Sequence, residues 1–286
     1  MIMEHTTRRD GRYSGTLHYI QTHWPSYVFV FGGSALFILI AIVFSAQRGW
    51  FGFIAVGLIA FLTLCTLLGA SLWAAHNIYD NDNIRDALIE LGQIRPEEVV
   101  VVVNLGTRRM PDRLSRRLTT GKVIVIDVYN PQQTPGKALA RAHKWTAARR
   151  TSGHQEDHYQ PDPRISWRDG SVGLLPLPDN SVPVAMLIQT ASEFWQQGDR
   201  ICLFREVERI LAPGDRLLLA ERLRTRTNLL VMGPEALRLE SLKYWQELLG
   251  ETKLRIEGTK NLGELMYCIR AEKAWGELGR QLTLDF

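Results

Sequence analysis

The chain has 286 residues, 45% hydrophobic and 22% charged, with a formal net charge of +4 and a pI near 9.0. That length holds one ordinary domain with an appendage, and the charge is too small and too dispersed to mark a nucleic-acid binder. The three cysteines, Cys65, Cys202 and Cys268, have neither metal-ligand nor redox spacing, so no metal site is expected.

Residues 1–26 form an N-terminal segment carrying Arg8, Arg9 and Arg12. Tyr27 to Ala46 then runs twenty residues without a charge, and a second apolar run follows from Trp50 to Trp73. Each is long enough to cross a hydrocarbon core of about 30 Å at about 1.5 Å per helical residue. Trp24, Tyr27, Trp50 and Trp73 fall at the run ends, where amphipathic rings prefer the headgroup region. The connection, Gln47 to Gly49, is so short that residues 27–74 must form an antiparallel hairpin. Three arginines before the first run against Arg48 in the connection place both termini in the cytoplasm, in a multi-pass protein of the inner (plasma) membrane. Gly32, Gly33, Ser34, Gly57 and Gly69 permit close packing, within the hairpin or with partner helices.

From residue 76 to 273 the pattern becomes alternating helices and strands. Helical stretches are expected at Ile84–Leu91, Pro111–Leu118, Gly136–Arg150, around Ile201–Leu211 and at Pro234–Leu249. Strands are expected at Val99–Val103, at "VIVIDV" ending on Asp127, at Arg164–Arg168, at Val182–Ile188, at "RLLLAE" released by the "APGD" stop, and near Lys253–Glu257 and Glu264–Ala271. Continuous β-branched runs such as Val99–Val103 belong to parallel strands covered on both faces. Repeated βα units therefore imply a doubly wound α/β sheet with right-handed crossovers, closed at one edge by an antiparallel hairpin. Residues 274–286 are left as a tail.

Ligands of such sheets bind beyond the carboxyl ends of the strands, where the strand order reverses. The turn after Val103 is therefore the first place to look, and Asp127 at the end of the next strand is placed to accept hydrogen bonds from ribose hydroxyls. Glu193, just after the fourth strand, and His154 and His158, in a polar loop, are candidate general bases.

The order of these pieces is similar to the class I S-adenosylmethionine-dependent methyltransferases, and closest to the branch containing the ubiquinone and menaquinone biosynthesis enzymes. The likeness covers roughly residues 76 to 273. It rests on "LLPLPDNSV", Leu174 to Val182, and on Glu206, Arg209, Ile210, Leu211, Pro213 and Gly214 before the fifth strand. The resemblance implies a Rossmann-like methyltransferase sheet and S-adenosylmethionine as cofactor, held by Asn104, Gly106, Thr107, Asp127, Val128, Asp169, Gly170 and Gln189.

The chain also departs from the family pattern. Asn104 stands where the family has an acid, and Arg108 and Met110 take two glycine positions, which implies a narrower and more positive turn. Pro183 replaces an acid at the start of strand four and implies a bulge. Asp169 lies six residues before Leu175, so either the intervening loop is two residues longer or Ser171 has taken its place. A membrane hairpin confines the domain to the bilayer, which points to lipophilic acceptors: quinone precursors, isoprenoids or lipid headgroups. The segment Arg222–Gly233 interleaves basic and apolar residues and suits a membrane-resting cover for such an acceptor. The alternative is a pseudo-methyltransferase serving as accessory or scaffold subunit of a membrane protein complex. A third reading makes Arg108 and Arg109 an anion site.

Overall fold

The computed structural model describes residues 13–106, 109–151 and 162–275. They fall into two compact units, one made of the N-terminal helices with Leu229–Gly233, the other carrying the sheet.

In the first unit α1 (Ser14–Ser26) runs through a π-helical stretch, Tyr27–Gly32, into α2 (Gly33–Gln47), and α3 (Phe51–Tyr79) follows the Arg48–Trp50 turn. Helix therefore begins well before the first apolar run. Pro25 lies inside α1, immediately before the π stretch; proline has no N–H to donate and its ring crowds the preceding turn, which accounts for the wider winding. Both helices are long and apolar enough to cross a membrane by length and composition. Phe29, Phe37, Phe51 and Ile59 stand more than 60% exposed, so the apolar surface of this unit is not used to form a core of its own. Asp80, after α3, accepts from the Thr16 N–H at 3.1 Å and lies 3.0 Å from His76 Nδ1. It also accepts from the Gly15 N–H, so it caps the first turn of α1. Gly57 serves the hairpin itself, since a Cβ there would meet Ile42 Cγ1 at 2.5 Å. At Gly32, Gly33 and Gly69 a Cβ would meet nothing within 4 Å.

The second unit is a seven-stranded sheet in the order β3-β2-β1-β4-β5-β7-β6. Its strands are β1 (Val100–Asn104), β2 (Val123–Asp127), β3 (Ile165–Asp169), β4 (Val182–Ile188), β5 (Leu211–Glu221), β6 (Leu254–Leu262) and β7 (Met266–Lys273). The first five are parallel, and β7 and β6 add antiparallel. This is a doubly wound, Rossmann-like sheet with an antiparallel edge hairpin. Helices α4 (Asn83–Gly92), α5 (Arg109–Ser115), α6 (Lys137–Thr151) and α7 (Gln197–Ile210) supply the connections, α8 (Arg226–Met232) passes into the Leu229–Gly233 stretch of the first unit, and α9 (Leu242–Glu251) belongs to the second.

Every residue of β1 is buried, as a strand covered on both faces requires. Alternation along β5 shows the two layers. Leu217 and Leu219 share a core with Phe204 of α7 and Trp245 of α9, whereas Leu218 meets Gly92 at the end of α4.

Two boundaries differ from expectation. Pro213–Gly214 does not release β5: α7 ends at Ile210, Leu211 already pairs with Val182, and pairing resumes at Val184 with Arg216. The intervening residues bulge, Gly214 takes φ +81°, and Pro183 sits at the irregularity on the facing strand as its missing donor requires. Nor is Pro234–Leu249 one helix. A 3₁₀ segment, Gly233–Arg238, comes first, and α9 starts afresh with Ser241 Oγ accepting the Tyr244 N–H at 3.2 Å.

Candidate functional site

The sheet order reverses between β1 and β4, so the crevice lies over the carboxyl ends of β1, β2 and β4. Asn104 ends β1, is buried, and turns its Oδ1 back to accept the Gly106 N–H at 2.7 Å. This Asx turn hands the chain to Gly106 at φ +78°, a conformation glycine adopts without steric cost.

Asp127 stands in register with Asn104 on one side and Asp169 on the other. Its Oδ1 accepts the Tyr129 N–H at 3.0 Å, and its carbonyl accepts the Gly170 N–H at 2.9 Å. Val128 is buried beneath the site and donates to the Asn104 carbonyl at 3.0 Å. Asp169 is exposed at the tip of β3. Gly170 is a packing glycine, since a Cβ there would come within 2.6 Å of Ile126 Cγ2. Between Asp169 and Leu175 the chain makes a tight turn in which Ser171 and Leu174 exchange backbone hydrogen bonds at 3.0 and 3.1 Å, and Asp169 is the last residue of β3.

Beyond β4, Gln189 adopts φ +50° and sends its amide to Met266 Sδ at 3.4 Å, toward β7 rather than β1. Thr190 ties the ends of β4 and β1 by donating to the Val103 carbonyl at 3.1 Å. The short turn Ala191–Glu193 is fixed by Glu221 at the end of β5, whose Oε1 accepts the Ala191 N–H at 2.9 Å and the Ser192 N–H at 3.3 Å. Glu221 is fully buried and its Oε2 has no partner among the described residues. Burial pushes its carboxyl up to about 7. Glu193 is raised by burial in the same way, against the opposing pull of Arg222. Its Oε2 lies 3.0 Å from the position of a Cβ on Gly136, and the Trp195 N–H donates to the Gln133 carbonyl at 3.2 Å, so the stretch after β2 lies across the turn after β4.

Sequence reasoning missed His143 of α6. Its ring stacks on Tyr129 at 3.6 Å with 12° between the planes, and Nε2–H donates to the Leu105 carbonyl. A Cβ on Gly106 would fall 2.4 Å from His143 Cε1 and 3.0 Å from Asp127 Oδ2. The turn is thus narrower than a glycine turn need be, through an imidazole brought from another element. No spacing in the sequence announces it. Glu221 was also missed, although "LLLAE" ends a buried strand on an acid. Thr107, Arg108, His154 and His158 lie outside the described residues.

The residues that carry the family likeness hold the fold. Arg209 donates to the carbonyls of Leu175 at 2.9 Å and Leu177 at 3.0 Å, while Glu206 accepts the Leu175 N–H at 2.9 Å. The "LPLPDN" loop is therefore clamped by α7. Among the described residues, no cluster of three or more metal-ligating side chains occurs.

No family model matches this chain, and no curated protein matches it. Among solved structures it is similar to a SAM-dependent methyltransferase from Aquifex aeolicus, at 18% identity over 67% of this chain and 90% of that one, with a TM-score of 0.49. The [4+2]-cyclase SpnF is similar at 18% identity over 68% and 81%, TM-score 0.48. A SAM-dependent methyltransferase from Methanosarcina mazei is similar at 18% over 66% and 98%, TM-score 0.46. The fold described above stands on the strand order and connections, independently of these likenesses.

Proposed function

We propose that the sheet unit is an S-adenosylmethionine-binding, methyltransferase-like domain, held at a membrane by the α1–α3 hairpin and directed at a lipophilic acceptor. The observation that supports this best is the position of Asp127. It closes β2 at the switch point, beside the Gly106 turn and in register with Asp169, where a strand-end acid meets ribose hydroxyls.

The residues present fit the adenosine half of the cofactor, with Asp127 and Asp169 on its path. They do not fit the methionine half while His143 lies against Gly106, and Asn104 has turned its Oδ1 to the Gly106 N–H. Bound S-adenosylmethionine would supply an electrophilic methyl group. For an acceptor hydroxyl, Glu193 is the candidate proton acceptor, since burial makes it more basic than an ordinary carboxylate. The apolar hairpin supports a bilayer-resident acceptor such as a quinone precursor, isoprenoid or lipid headgroup.

The closed turn favours a second reading, a pseudo-methyltransferase serving as a scaffold of a membrane complex. Calorimetry on the full chain in lipid nanodiscs separates the two. Micromolar binding of S-adenosylmethionine, lost in Asp127→Ala, is the expected result. No binding by folded protein, with His143 present or removed, leaves the scaffold reading.

A further inference from the structure

His143 occupies the space that the glycine turn leaves open. A side chain on Gly106 would collide with Cε1 at 2.4 Å and Nε2 at 2.7 Å, and its next neighbour would be Asp127 Oδ2 at 3.0 Å. The ring and the strand-end acid therefore both close on the turn. The ring is held there by one hydrogen bond to the Leu105 carbonyl and by the parallel face of Tyr129 at 3.6 Å. The carbonyl only accepts, so Nε2 carries a proton.

We infer that His143 is a self-inhibitory plug of the methionine half of the cofactor site: the resting protein is closed there, and the whole cofactor enters only as the ring swings off Gly106. This rests on the S-adenosylmethionine reading of the same site. The ring is joined to the turn by contacts that a χ rotation breaks, with no backbone rearrangement demanded at Gly106. One hydrogen bond and one stacked pair favour the closed arrangement about tenfold to hundredfold. Apparent affinity falls by the same factor, because ligand binds only the open fraction.

The test titrates S-adenosylhomocysteine calorimetrically into the full chain in nanodiscs. His143→Ala is expected to bind at least about tenfold more tightly than the unmodified chain, about 1.4 kcal/mol. Tyr129→Leu, which loosens the ring without deleting it, gains about threefold by losing the stacked pair, and it keeps the test open if His143→Ala fails to fold. Adding Asp127→Asn to His143→Ala cancels the gain. The His143 Hε1 resonance, assigned by its loss in His143→Ala, sits upfield over Tyr129 and moves downfield as ligand saturates the protein. Equal affinities in the parent chain, His143→Ala and Tyr129→Leu, with the parent's His143 resonance unmoved, would overturn the plug and leave the cofactor reading standing. No binding by any folded form would overturn both.

Discussion

At the scale of single residues, the site is decided by where polar atoms spend their hydrogen bonds. Asn104 closes β1, and its amide oxygen accepts from its own turn at the Gly106 N–H. Glu221 takes two N–H groups on one oxygen and leaves the other buried without a partner among the described residues. Its folded pKa of about 7 lies above the ordinary 4.5, so the folded state holds a proton that the unfolded chain releases. The resulting stability is complete below about pH 4.5 and is lost as pH rises through about 7. The gap is worth roughly 3 kcal/mol by linkage. Glu193, also raised by burial, contributes with the same sign. Glu221→Gln keeps an acceptor for Ala191 and Ser192 and cannot ionise. Denaturant titrations from pH 4.5 to 8 should show stability declining in the parent and flattening in this variant. Parallel declines would show that Glu221 does not titrate there.

Elements were legible where periodicity decides them and illegible where a contact between elements does. The all-β-branched run at Val100–Val103, the helical spacing of Phe204 and Val207, and the bulge at Pro183 follow from local chemistry. The start of β5 does not, because Leu211 joins the sheet by pairing with Val182, which its own neighbours do not announce. His143 is the extreme case: α6 reads as a basic helix, and only the return of the chain from β2 lays that position over the β1 turn. In the helical unit the corresponding long-range device is Asp80, which caps α1 from 65 residues away. Asp80→Ala should cost about 1 kcal/mol or more locally. Hydrogen exchange of the first-turn amides of α1 should then quicken about fivefold or more, while the sheet amides stay unchanged. Unchanged exchange at Gly15 and Thr16 would show that the cap contributes nothing.

For the whole molecule, the proposed function joins an apolar helical unit and a sheet unit in one chain, and so pairs a water-soluble methyl donor with a bilayer acceptor. The fold supplies the strand ends and the acid, and the chemistry depends on whether the turn opens. Methyl-tritiated S-adenosylmethionine incubated with native membranes containing the full chain tests this directly. Label should pass into the organic phase, rise in His143→Ala and vanish in Asp127→Ala. Organic-phase counts at background for both the parent chain and His143→Ala would contradict a methyltransferase acting on a lipophilic acceptor.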